Sequence, residues 1–182
     1  TDPDVPRVLK VVPGGTTADI QESDVIVTGT NVEGKVITEE FHFDAAASAA
    51  VEGTKAFRTV TSVNIDAELT TAATFSVGVT NKLGINHRLF RQNTTVKVYY
   101  SATVGNPTVL TLDTEPTVTA NDPNVELNTV LPDTAPDGAK FYVICYTFDN
   151  WSDGTSVNDQ PEYSTTTSTS STSSSTSTTT VT

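Results

Sequence analysis

Methionine is absent from this 182-residue chain, cysteine and tryptophan occur once each, and histidine twice. Each shortage excludes something. With Cys145 alone, no intrachain disulfide framework exists, so stability has to come from burial and sheet hydrogen bonds. A zinc-type site needs three or four His or Cys ligands, and His42, His87 and Cys145 show no spacing that supports one. Cations are also scarce: Lys and Arg total 10 against 22 Asp and Glu, a net charge of -12. That argues against nucleic acid as a partner, because phosphate binding needs clustered positive charge. No apolar run approaches the roughly 20 residues of a membrane-spanning helix, so no membrane partner is expected. Thr1-Asp2-Pro3-Asp4 has neither a basic nor an apolar leader region. The expectation there is no secretion signal and loss of an initiator methionine.

Helix-forming composition is the next shortage. Only Ala45–Ala50 carries it, and six residues are too few for a stable helix, so a loop or single turn is expected. What the chain does contain is alternation. Val25 and Val27 fall on one face of a strand over Asp24–Thr30, and Ile26 and Thr28 on the other. Asn31-Val32-Glu33-Gly34 turns the chain, with Gly34 where a positive φ is needed. On the returning strand, Lys35–Phe43, Ile37, Phe41 and Phe43 share a face with Glu39, while Val36, Thr38, Glu40 and His42 face water. One apolar and one polar face imply an antiparallel sheet over a single core. A third strand, Arg58–Ile65, completes what reads as a β-meander.

The remaining strands are expected at Val5–Val12, ended by Pro13-Gly14-Gly15, around Phe75–Val79, stopping at Asn81–Gly84, and at Val96–Tyr100. Others are expected at Thr108–Leu112, Val125–Asn128 and Phe141–Phe148. The last is apolar on both faces and belongs in the centre of a sheet. Eight to ten short strands at close spacing predict an all-β fold, an antiparallel β-sandwich or barrel-like domain over residues 1–148. Its expected core is Phe41, Phe43, Phe57, Val63, Phe75, Val77, Val98, Phe141, Val143 and Cys145. A polar linker (149–163) and a Ser/Thr tail (164–182) follow, the tail holding seventeen consecutive Ser and Thr from Ser164 to Thr180. Such a tract buries no apolar surface, so it is disordered alone or held extended by a neighbouring chain.

Candidate sites are few. Asp149-Asn150-Trp151-Ser152-Asp153-Gly154 starts like a calcium loop, but its third and twelfth positions are Trp151 and Gln160, which are not ligands of that kind. Cys145 lies within an apolar strand, where a thiol is inert, and no nucleophile elbow or phosphate loop is present. Glu39 and Glu40 point to opposite faces of one strand and cannot work as an acid/base pair. No enzyme and no cofactor are therefore expected. Lys82, His87, Arg88 and Arg91 form the one basic cluster of an acidic chain: either a solvated connector or a contact patch for an acidic protein surface. Trp151 is either a lid on the core or an interface anchor.

Four segments, TGTNVEGKVITEEF, GTKAFRTVTSVNI, SVGVTNKLGINHRLFRQNTTV and VELNTVLPDTAPDGAKFYVICY, occur in that order between residues 5 and 147. Together they resemble a family of tailed-bacteriophage head decoration (capsid cement) or head-fibre base proteins. That resemblance implies a β-rich structural protein on the virion, bound to assembled major capsid protein and carrying no catalytic residues. The partner expected is the major capsid protein, with a homotrimer at local threefold positions. Two other functions remain in view: a tail tube or baseplate subunit, and a cell-surface adhesion or carbohydrate-binding β-sandwich that stacks sugars on Trp151, Tyr99, Tyr100 and Tyr142.

Overall fold

The computed structural model describes residues 2–66, 73–87, 89, 96–101, 110–114, 116–119, 124–137, 140–148, 164–171 and 178–181. It is all-β and antiparallel. The strands are β1 (Arg7–Gly15), β2 (Ser23–Thr30), β3 (Val36–Phe43), β4 (Val51–Phe57), β5 (Thr59–Asp66), β6 (Ala73–Gly84) and β7 (Val96–Ser101). They continue with β8 (Thr111–Leu112), β9 (Thr117–Thr119), β10 (Thr129–Leu131), β11 (Phe141–Phe148), β12 (Ser164–Ser171) and β13 (Thr178–Val181). Three sheets result, in the orders β4-β1-β6-β10-β9, β3-β2-β5 and β13-β12-β11-β7-β8. Ala45–Ala50 forms no helix, and Ala46 turns the chain at a φ of 59°.

The alternation expected of the first hairpin is realised. Val25 and Val27 of β2 are buried, and so are Ile37, Glu39, Phe41 and Phe43 of β3, while the intervening β3 residues are exposed. The turn between them is built by Asn31, whose side chain is fully buried. Its Oδ1 accepts the backbone N–H groups of Glu33 and Lys35, each at 3.0 Å, and its Nδ2 donates to Glu126 at 3.2 Å. Gly34 closes the turn at a φ of 79°, a conformation costly for a residue with a Cβ.

The meander is not formed. β5 pairs with the far edge of β2 instead of with β3, and the connecting residues become β4, which joins β1 in another sheet. The reason is Phe57. It stands at the end of β4, fully buried among Leu9, Val11, Val27 and Phe41, so the chain crosses between sheets to bury it before returning as β5. Glu39 closes the same corner. Its carboxylate, 9% exposed, accepts Thr54 N–H at 2.6 Å, Thr54 Oγ1–H at 2.9 Å and Lys55 N–H at 3.2 Å. Edge strand β4 is thereby hydrogen-bonded through a side chain of edge strand β3.

Two apolar clusters result. One lies between β1, β6 and the β2–β3 hairpin, around Val25, Val27, Phe41, Phe43 and Phe57, with Phe75 against Phe43 at a ring separation of 4.9 Å. The other joins β6 and β10 to β7 and β11, around Leu83, Val98, Val130, Tyr142, Ile144 and Tyr146. β11 does occupy the middle of its sheet, between β7 and β12. Its deeply buried face is Tyr142, Ile144 and Tyr146, whereas Phe141 and Cys145, assigned to the core from sequence, are only half-buried. Tyr142 keeps its hydroxyl satisfied by donating to the Thr134 carbonyl at 2.8 Å. Val63 is also corrected. It shares a face with Val27, its partner in register, yet is 44% exposed, since among the described residues no layer covers it.

Three boundaries differ from expectation. β1 begins at Arg7 and runs through Pro13 to Gly15, since β6 extends alongside to pair with every residue from Leu9 onward. Asn81–Gly84 does not stop β6, which continues to Gly84. Val125–Leu127 is a 3-10 turn, and the strand follows at Thr129–Leu131. The Ser/Thr segment Ser164–Ser171 pairs one-to-one with Phe141–Phe148 of its own chain as β12. Thr favours this extended conformation, and the backbone of β11 offers an open edge that any sequence can pair with.

Candidate functional site: a pocket under the N-terminal segment

Of the residues singled out as a basic cluster, Lys82 and His87 are described, and these two face different surroundings. Lys82 points toward β4 and pairs with Glu52 at 3.4 Å. His87 sits on the turn after β6, its ring 5.7 Å from that of Tyr146. Burial lowers its pKa below the ordinary histidine value, the charge of Glu33 opposing the shift, so the ring is neutral at pH 7. Arg88, Arg91 and Trp151 lie outside the described residues, as does the calcium-like stretch from Asp149 to Gly154.

His87 does line a cavity of about 420 Å³. The wall opposite it is the N-terminal segment Asp2–Pro6, with the β2–β3 turn at Val32 and the β4–β5 junction at Arg58 and Thr59 closing the sides. Local chemistry holds each wall. Asp4 pairs with the buried guanidinium of Arg7 at 2.9 Å, and Arg7 also donates to the Thr80 carbonyl at 3.4 Å. Gly84 donates its N–H to the Pro6 carbonyl at 2.7 Å. A Cβ on Gly84 would stand 2.7 Å from that of Ala56 and 3.0 Å from that of Pro6, so glycine is what lets the segment lie this close. At the junction, Arg58 donates its backbone N–H to the Thr30 carbonyl at 2.8 Å. Asp2 reaches across to accept the backbone N–H of Val60 at 2.9 Å.

The electrostatics of the pocket are therefore simple. Asp2 and Asp4 are both engaged. Arg58 is exposed and makes no ion pair with a described residue, which leaves its guanidinium as the available charge. Sequence reasoning missed Arg58. It belongs to no charge run in sequence, and only the return of the N-terminus to the β4–β5 junction gives it a cavity to face.

A second titratable pair lies on the polar face of the hairpin. His42 Nδ1 is 2.7 Å from Asp24 Oδ1, with Asp44 at 3.6 Å from Nε2. The hydrogen bond to Asp24 is the main cause of a raised His42 pKa. Among the described residues, no group of three or more His, Cys, Asp or Glu is arranged to hold a metal ion. No helix among them is long and apolar enough to cross a membrane. Comparison of the chain with protein-family models, with curated proteins and with solved structures gives no match.

Proposed function

We propose that this chain is a structural virion protein that binds the surface of an assembled tailed-phage head as a decoration or cement protein. The observation that carries the reading is where the four phage-like segments fall. They fall on the end of β2 and most of β3 (28–41), on most of β4 and β5 (53–65), on most of β6 (76–84), and from the 3-10 turn through β10 into β11 (125–146). They contribute to both apolar clusters, Ile37, Phe41 and Phe57 to one and Leu83, Val130, Tyr142, Ile144 and Tyr146 to the other, which is a framework role. A rigid β domain of this kind works mechanically, by bridging neighbouring capsid subunits and burying area at each junction. A specific junction buries upward of about 1,200 Å², and a net charge of -12 keeps decorated particles apart. The reading is non-enzymatic, with major capsid protein as partner and a homo-oligomer as the bound unit. Purified protein added to undecorated heads is expected to bind saturably and with the symmetry of the lattice. Absence of binding at every salt concentration would remove the proposal, and ring-forming assembly without heads would favour the tail tube instead.

A further inference from the structure

We infer that the pocket under the N-terminal segment and the adjoining outer edge of β5 form a docking site for an extended, acidic segment of a partner protein, with a carboxylate received beside Arg58. The inference goes beyond capsid decoration and does not depend on it. β5 is an edge strand, and among the described residues no strand lies against its outer side. Thr61, Ser62, Val63 and Asn64 are all exposed, and the strand carries neither charge nor proline from Thr59 to Asn64. Natural edges are normally guarded by such residues. An edge that is long, neutral and rich in Thr and Val is suited to accepting one more strand through main-chain hydrogen bonds.

The direction and chemistry of the occupant come from the pocket at the start of that edge. Arg58 and Thr59 line it, and Arg58 lacks an ion-pair partner among the described residues. The protein already seats a carboxylate there: Asp2 accepts the Val60 N–H, a hydrogen bond of β5 that is not made to β2. Asp2 is thus an in-chain stand-in for the ligand. It shows that this backbone donor is satisfied by a carboxylate, and it competes for the site. The apolar wall of Pro3, Val5, Pro6 and Val32 suits the stem of the side chain, and neutral His87 adds no second cation. A carboxylate-bearing strand gains a charge-assisted contact there that an amide does not.

The test uses the full chain and a fluorescein-labelled octapeptide of alternating Thr and Val ending in an aspartate, with an otherwise identical asparagine-amide peptide as control. Anisotropy titration is expected to show the aspartate peptide binding about tenfold more tightly than the control, the scale of one charge-assisted contact. Asp2→Ala should strengthen binding by removing the internal competitor, and Arg58→Gln should remove the preference for aspartate. Because Arg58 is exposed, its replacement leaves the fold intact, checked by circular dichroism. The Val60 amide resonance should move on titration in Asp2→Ala. Equal binding of both peptides, or no binding of either to Asp2→Ala at about 1 mM, overturns the inference.

Discussion

Gly53→Ala should destabilise this protein through one side chain, Glu39, and nothing else. A Cβ on Gly53 would stand 2.3 Å from Glu39 Oε2 and 2.7 Å from its Cδ. The end of a glutamate normally swings away at little cost. Here it cannot, because the carboxylate holds Thr54 N–H, Thr54 Oγ1–H and Lys55 N–H. Hydrogen bonds to a charged group contribute about 1.5–3 kcal/mol each when fully buried. Thr54 is exposed, so water replaces part of what is lost, and a total of about 2–3 kcal/mol is expected for Glu39→Ala. Gly53→Ala should cost a similar amount, since it forces the same carboxylate out. In the Glu39→Ala background it should cost under about 0.5 kcal/mol, giving a coupling of about 2 kcal/mol between the two positions. Urea titrations followed by circular dichroism read all four stabilities. At about 2–4 °C per kcal/mol, each single variant should melt about 5–10 °C lower. If Gly53→Ala costs as much without Glu39 as with it, the corner is not organised by this carboxylate.

Other outcomes follow from the same geometry. The two histidines should titrate on opposite sides of 6.5 by NMR, His42 above and His87 below. The raised His42 pKa means its contribution to stability is complete below the unfolded value and is lost as pH rises through the folded one. His87 has the reverse sign: its contribution is present above the unfolded value and is lost as pH falls through the folded one. Asp24→Asn should bring His42 back toward 6.5 and leave His87 unmoved. Gly84→Ala should cost about 1–3 kcal/mol by overpacking against Ala56 and Pro6, and should speed proteolytic cleavage after Arg7. Tyr142→Phe removes the bond to the Thr134 carbonyl and should cost about 1 kcal/mol in a urea titration.

The polar segment ends and turn chemistry of this chain carried much of the fold on their own. Period-two alternation put Ile37, Phe41 and Phe43 on the apolar face of β3 and Val25 with Val27 on one face of β2, all of them buried, and Asn31 with Gly34 specified the turn. Those features are local, so they survive being read one segment at a time. Which strands become neighbours is not local. β4 leaves for the other sheet as Phe57 is buried in the cluster between the two sheets, and among the described residues nothing covers Val63, which is exposed although its pattern matches that of Val27. On β11 both faces are apolar, and periodicity could not say which one the second cluster would take; Tyr142, Ile144 and Tyr146 were chosen by packing against β6, β7 and β10.

The site divides the same way. The sequence by itself determined an acidic β chain with one cysteine and two histidines, because charge and residue counts are properties of composition. Closeness in sequence does not by itself give two residues the same surroundings. Lys82 and His87 are five residues apart yet turn to different surroundings, one toward Glu52 and the other toward Tyr146 and the pocket. Only the tertiary structure brought Asp2 to Val60, across 58 residues, and gave Arg58 a cavity. Long-range hydrogen bonds and burial decide such juxtapositions, and neither is written in any one stretch of the chain.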